Sequence, residues 1–182
     1  MHARALHDST QVEPNLAAAV AGAVAAVGTS DEYALFLARV HQAATPQEER
    51  RYQMLLASFP GEQELARTLA MALDGTIRTQ DAPYLVAQCL RHRDHGVVAW
   101  RFVRDHWAQM LHAYPDNAIV RMLEGFTMLA DPDVAAEIEA FFAQHPVPQG
   151  ALTLQQHLEK LRVNVALHTR EAETFARGLH RG

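Results

Sequence analysis

Apolar side chains recur at helical spacing in the segment from Gly96 to Tyr114, GVVAWRFVRDHWAQMLHAY. Steps of three and four residues place them on one face of a helix. Arg101, Arg104 and Asp105 fall on the other face, where Arg101 and Asp105 stand one turn apart as a candidate ion pair. The segment therefore predicts one amphipathic helix with a buried aromatic face. Its stripe contains both tryptophans of the chain and consists of Trp100, Val103, Trp107, Met110, Leu111 and Tyr114.

The remaining segments repeat this pattern between strong helix-boundary signals. The Ala/Val run Leu16–Val27 stops at Gly28, and Pro60-Gly61 breaks another helix. Thr45-Pro46 and Asp131-Pro132 each place a capping side chain before a proline in the first turn. The other predicted helices cover a segment containing Tyr33–Val40, Thr45 to about Phe59, Glu62–Asp74, Pro83 to about His92, Ala118–Ala130, Asp131 to before His145, a long helix marked by Leu154–Val165, and a last one from near Thr169 to near Leu179.

No segment has the alternation of a β-strand, so the sequence predicts an all-α fold. About nine or ten helices of roughly 10–18 residues with short connections are typical of antiparallel helix pairs. We expect these pairs to stack as an α-solenoid of HEAT or armadillo type, and a compact irregular bundle is the alternative. We expect residues 1–13 to be a disordered or expression-derived tail and residues 14–182 to form one helical-repeat domain. The predicted core includes Trp100, Trp107, Val103, Tyr84 and Phe126.

Composition narrows the class of protein. The chain has 182 residues, of which 49% are hydrophobic and 20% charged, as expected of a folded globular domain. A net charge of −5 argues against a nucleic-acid surface, which would be basic. The run Leu16–Val27 is too short to span a bilayer, so no membrane contact is expected. Cys89 is the only cysteine, which excludes an internal disulfide and favours a cytoplasmic protein.

Eleven histidines raise the question of a metal site. His92 and His95 could share a helical face, but Gly96 interrupts the helix and no carboxylate completes a ligand set. Solvated histidines at a helix boundary are therefore the favoured interpretation, and an enzyme built on this cluster is the weakest hypothesis. The sequence has no His-Glu-x-x-His pair and no phosphate-binding loop. We therefore assign no catalytic residue, no metal ligand and no cofactor to this chain.

Four arginines stand close together in an otherwise acidic chain. Arg91, Arg93, Arg101 and Arg104 flank the junction of two predicted helices. A solvated face of ion pairs is the simpler interpretation. The alternative is a patch that recognises an anion such as the carboxylate of a peptide.

Three motifs in a fixed order suggest a family. Ile77–Asp81 reads IRTQD, Gly96–Phe102 reads GVVAWRF, and His106-Trp107 follows. Together they resemble the C-terminal helical domain of the aminopeptidase N family of zinc metallopeptidases. At His106 many relatives have Asn, which leaves open how the helix is capped there. Further similar segments are Tyr33, the run TPQEER at Thr45–Arg50, the run LQQHLEKL at Leu154–Leu161, and Asn164.

The resemblance implies an α-solenoid-like domain that covers a separate catalytic domain and gates its peptide chamber. The zinc ligands and catalytic glutamate belong to that other domain and have no matching positions here. The implied partners are the upstream catalytic domain of the same polypeptide and a peptide substrate. A free-standing scaffold that binds a protein or peptide is the alternative function.

The chain is shorter than a complete domain of this family, so we expect it to be the C-terminal part of one. A helical stack that is cut exposes apolar surface at its edge. We expect Leu16–Val27 to lie at such an edge and to promote self-association.

Overall fold

The computed structural model describes residues 14–179, and all regular structure in that range is helical. The all-α prediction is confirmed, while the predicted tail, residues 1–13, lies outside the described residues. No helix in the described range is long and apolar enough to cross a membrane. Within residues 14–179, two short 3-10 helices, Glu124–Met128 and Pro148–Gly150, accompany ten α-helices. The α-helices are α1 Pro14–Val27, α2 Ser30–Gln42, α3 Pro46–Leu56, α4 Glu62–Met71, α5 Ala82–Leu90, α6 Gly96–Asp105, α7 Trp107–Ala113, α8 Asp116–Leu123, α9 Pro132–Gln144 and α10 Ala151–Leu179.

The chain divides into two compact units, residues 1–70 and residues 71–182. In the first unit, α2 and α3 form a helix hairpin joined by only three residues. Its core is a set of edge-to-face aromatic rings, in which Phe36 lies 5.3 Å from Tyr52 and 5.2 Å from Phe59. The Tyr33 hydroxyl shares a hydrogen bond of 2.9 Å with buried Thr68 of α4. Helix pairs of this kind are the building units of α-solenoids.

Polar side chains bond to backbone N–H groups at the start of both helices of this hairpin, including the predicted N-cap Thr45. The Thr29 N–H donates to Glu32 Oε2 at 2.8 Å, and the Thr29 hydroxyl contacts the same oxygen. Thr45 Oγ1 accepts the N–H of Glu48 at 3.2 Å, which caps α3 directly before Pro46. Glu48 reaches back one residue further than in a capping box, to the N–H of Ala44.

Helix α1 carries no charged residue from Pro14 to Val27, and it exposes part of its apolar surface. Ala21 and Ala25 are buried, whereas Leu16 is 56% and Val27 79% exposed. Uncovered apolar surface of this kind favours association. Self-association through α1 stays a prediction.

The core of the second unit is built around Trp100, which is fully buried. Its ring meets Phe141 edge-to-face at 5.4 Å and lies 5.8 Å from Phe142, so α6 packs on α9. Helix α5 packs against α6, α8 and the 3-10 helix Glu124–Met128. Val103, Trp107 and Phe126 are buried in the same unit.

The segment Gly96–Tyr114 was predicted to form one helix, but it forms two, α6 and α7. It divides at His106, whose backbone dihedrals (φ −112°, ψ 17°) are not helical. The break alters the direction of the side chains that follow. Trp107, Met110 and Tyr114 remain buried, but Leu111 is 42% exposed and does not belong to the stripe.

Three further expectations need correction. The helix predicted to reach Ala130 ends at Leu123. The chain tightens there into a 3-10 helix, because Gly125 lies against α5. The two predicted C-terminal helices are one helix, α10, since no glycine or proline interrupts residues 151–177. Tyr84 is only half-buried, because its hydroxyl accepts a hydrogen bond from Arg121 at 3.1 Å near the surface.

Candidate functional site

The four arginines of the predicted patch belong to the second unit but have different surroundings. Arg91 is the C-cap residue of α5 and is half-buried. Its guanidinium donates a hydrogen bond to Glu124 Oε2 at 3.2 Å. Arg93 lies in the turn between α5 and α6, with its side chain 92% exposed. Its only ion pair among the described residues is with its sequence neighbour Asp94, at 3.3 Å. A pair of this exposed kind contributes little to stability.

Arg104 is committed to the protein itself. Its Nη1 donates to Glu137 Oε1 at 2.6 Å, and its Nε donates to Asp105 Oδ1 at 2.8 Å. The second hydrogen bond holds the pKa of Asp105 below its usual range. The expected pair between Arg101 and Asp105 is therefore wrong, since Asp105 is paired with Arg104. Arg101 is exposed and has no ion pair in the described part of the chain.

Glu137 joins the arginine patch to the aromatic core. The same oxygen, Oε1, accepts the indole N–H of Trp100 at 3.0 Å and the Arg104 guanidinium. The buried indole N–H thus has a hydrogen-bond acceptor in Glu137, whose negative charge is balanced by Arg104. This contact fixes α6 relative to α9 and so holds the exposed face of α6, with Arg101, in place.

An open groove of about 540 Å³ lies beside the turn that joins α5 to α6. We call it the α5–α6 groove. Two arginines from the end of α5 and that turn line it, together with His168 from α10, and apolar side chains complete the walls. Its lining includes Arg91, Arg93, Val97, Met128, Asp131 and His168.

The histidines at this turn have a structural role. His92 Nδ1 accepts the N–H groups of Asp94 at 3.2 Å and His95 at 3.0 Å, and the rings of His92 and His95 stack at 5.2 Å. A nitrogen that accepts two backbone hydrogen bonds is not available to a metal. No three His, Cys, Asp or Glu side chains come together as a metal site in the part of the chain that the structure describes.

The thiol of Cys89 is not an activated nucleophile. Cys89 is fully buried in α5, and burial raises the pKa of its thiol far above the usual range. A thiol of this kind stays protonated and inert. The described residues thus provide neither a metal ligand set nor an activated cysteine.

A sequence model of the family described as the ERAP1-like C-terminal domain matches residues 2–163 of the chain. This match covers most of its length. The chain belongs to this family. The resemblance read from the motifs IRTQD, GVVAWRF and His106-Trp107 is thereby confirmed.

Relatives of this ERAP1-like C-terminal domain have names that contain the word aminopeptidase. The chain is 27% identical to aminopeptidase M1-B of Oryza sativa subsp. japonica over 72% of its own length, and it covers 15% of that protein. It is 26% identical to the alanine/arginine aminopeptidase of Saccharomyces cerevisiae over 87% of its length, covering 19% of that protein. Aminopeptidase M1 of Arabidopsis thaliana is 29% identical over 65% of the chain. The chain thus spans less than a fifth of the length of these relatives.

Within this ERAP1-like C-terminal domain, His106 has a role that the sequence analysis left open. It forms the C-cap of α6, with Nδ1 bonded to the carbonyl oxygen of Phe102 at 2.9 Å and its ring stacked on the Phe102 ring at 4.2 Å. His145 ends α9 in the same way, with 2.8 Å to the Phe141 carbonyl and 4.1 Å between rings. A Phe-x-x-x-His spacing at a helix end is the signal that could have predicted both caps.

His157 of α10 provides a test of the packing beside the site. Its Nε2–H donates to the Val120 carbonyl at 3.2 Å, and its ring is half-buried near Glu124 and Lys160. Burial lowers its pKa below the ordinary value of 6.5, since it disfavours the charged imidazole. The unfolded chain therefore takes up this proton at higher pH than the folded one.

We expect His157 to make the domain less stable as the pH falls below about 6.5 towards the lower pKa of the folded state. Its contribution is fully present above that window. Urea unfolding at about pH 7.5 and about pH 5.5 measures the change in the free energy of unfolding. The H157Q variant should show a smaller change between the two. An identical change in both proteins would contradict the assignment.

Proposed function

We propose that this chain is a non-catalytic C-terminal part of a zinc-dependent aminopeptidase, in which it shapes and gates the peptide chamber. The match to the ERAP1-like C-terminal domain over residues 2–163 carries the proposal. The names of the relatives support the aminopeptidase activity of the parent protein. The proposal places the zinc and the hydrolytic step in a catalytic domain of the same polypeptide. It also includes a cytoplasmic location, which the single buried cysteine supports.

The domain's share of the work is to bind and position peptide. We propose that the arginine patch contacts the carboxylate of the substrate, as a guanidinium suits this group. Arg101 is the strongest candidate of the four, because it is exposed and has no ion pair within the described residues. The guanidinium of Arg104 already donates hydrogen bonds to Glu137 and Asp105, so Arg104 acts by stabilising the position of α6. Arg91 and Arg93 lie in the α5–α6 groove.

The first experiment asks whether the chain acts alone. An aminopeptidase assay and metal analysis on the purified chain should give no turnover and no bound zinc. The coding sequence upstream should contain a His-Glu-x-x-His segment, whose two histidines bind zinc from one helix face. Absence of that segment would favour a free-standing scaffold. Stoichiometric zinc with turnover would instead support an independent enzyme.

The second experiment tests the contact with peptide in the full-length parent. We expect R101Q to raise the KM for peptides by about tenfold, as the loss of one charge-assisted hydrogen bond would do. The KM for single-residue amides should not change, since they have no distant carboxylate. R51Q, which removes an exposed arginine of α3, is the matched control. Equal effects of R101Q on peptides and amides would refute the carboxylate contact.

A further inference from the structure

The side chains that line the α5–α6 groove have more N–H donors than are engaged by acceptors of the protein itself. Arg93 engages Asp94 through Nε alone among the described contacts, and a guanidinium has four further N–H groups. Arg91 engages Glu124 through Nη2. His168 of α10 is exposed on the same groove and has no hydrogen bond or ion pair in the described part of the chain. Hydrogen-bond donors therefore reach the groove from two different elements, the α5–α6 turn and α10.

The carboxylates of the groove are already engaged within the protein. Asp94 Oδ1 accepts from Arg93. Asp131 Oδ1 accepts the N–H groups of Asp133 at 2.9 Å and Val134 at 3.0 Å, and so caps α9. These bonds reduce the repulsion that the two carboxylates would exert on an anion, whereas the arginines keep donors to offer.

The start of α6 adds to this preference for an anion. Gly96 and Val97 line the groove, and the first turn of α6 has no acidic residue. The positive end of the helix dipole thus lies beside the groove, where its field adds to that of the arginines.

We propose that the α5–α6 groove binds a phosphate-bearing small molecule. A phosphate group presents three acceptor oxygens in different directions, which suits donors from the α5–α6 turn and from α10. A carboxylate presents two oxygens in one plane and meets fewer of them. The volume of about 540 Å³ accommodates a phosphate together with an organic group such as a nucleoside or an amino acid. This proposal does not rest on the aminopeptidase hypothesis, because it uses only side chains that line the groove, although Arg91 and Arg93 also belong to the arginine patch of the proposed function.

The test is a titration of the ¹⁵N-labelled chain, followed by the amide resonances at constant ionic strength. The probes are inorganic phosphate, phosphoserine, adenosine monophosphate and, as the planar anion, acetate. We expect saturable shifts at residues 92–98 with the phosphate probes. R93Q and H168Q should each weaken phosphate binding by about tenfold, as expected for loss of a charge-assisted hydrogen bond. Both side chains are exposed, so each variant should keep the dispersed spectrum of the folded chain.

R51Q is the matched control, because it removes one positive charge from an exposed position outside the groove. It should leave the phosphate affinity unchanged. Tighter binding of phosphoserine or adenosine monophosphate than of inorganic phosphate would identify an organic phosphate as the ligand, and the reverse order would identify free phosphate. Shifts that do not saturate, or that are equal in R93Q and R51Q, would overturn the site. Acetate binding as tightly as phosphate at the same amides would overturn the choice of phosphate.

Discussion

The W100A variant is expected to lose about 3–5 kcal/mol of its free energy of unfolding, as large aromatic truncations in a core do. Trp100 is fully buried and contacts the rings of Phe126, Phe141 and Phe142. Alanine would leave a cavity among these rings and would also remove the indole hydrogen bond to Glu137. A loss of this size is a large part of the stability of an ordinary domain. Urea unfolding followed by far-ultraviolet circular dichroism measures it.

W100F separates the two causes. Phenylalanine fills much of the space but has no N–H for Glu137 Oε1, which keeps its bond from Arg104. We expect W100F to cost about half as much as W100A, since the cavity is smaller while the hydrogen bond is lost in both. L152A, at a residue 70% exposed, should change the stability by less than about 0.5 kcal/mol. A W100A loss no larger than that of L152A would show that Trp100 does not support the core.

Periodicity and capping chemistry were enough to predict the class of fold. Trp100, Val103, Trp107 and Met110 are buried at the steps that a helical stripe requires. The strongest boundary signals in the sequence were correct because they act locally. Thr45 accepts the hydrogen bond of an N-cap within its own turn, and Asp131 does the same.

The errors come from contacts that periodicity cannot represent. A single stripe continues through His106, so the pattern gave no sign that the imidazole and its backbone N–H both bond to Phe102 and end the helix. The 3-10 turn after Leu123 depends on the approach of α5, which is distant in sequence. Tertiary packing thus set the helix ends where local signals were weak.

The candidate site shows the same limit. The clustering of Arg91, Arg93, Arg101 and Arg104 was visible in the sequence, but their partners were not. Glu124 and Glu137 lie more than thirty residues away from the arginines that they neutralise. His168 reaches the α5–α6 groove only because α10 continues without interruption through Thr169. The sequence therefore shows which charged residues a surface patch contains, whereas the fold determines which of them are left unpaired to bind a ligand.

Gly125 lies where the 3-10 helix Glu124–Met128 closely approaches α5. A Cβ atom built on it would lie 2.6 Å from the Ala87 carbonyl oxygen and 2.6 Å from Leu90 Cβ, both in α5. A backbone oxygen cannot move aside as the end of a flexible side chain can. We expect G125A to lower the free energy of unfolding by about 3 kcal/mol, at the upper end of overpacking effects. Thermal and urea unfolding of the purified variant measure the loss.

G22A is the matched control, because it adds the same methyl group to a different setting. Gly22 lies inside α1, where the added Cβ would meet only Leu55 Cδ2 at 4.0 Å, an ordinary contact. Alanine should stabilise the helix there by about 0.5–1 kcal/mol, since glycine loses more backbone entropy on folding. The free energy of unfolding should therefore fall in G125A and rise in G22A, because the fold leaves space for a methyl group at Gly22 but not at Gly125. Destabilisation by both, or by neither, would contradict the close packing of the Glu124–Met128 helix against α5.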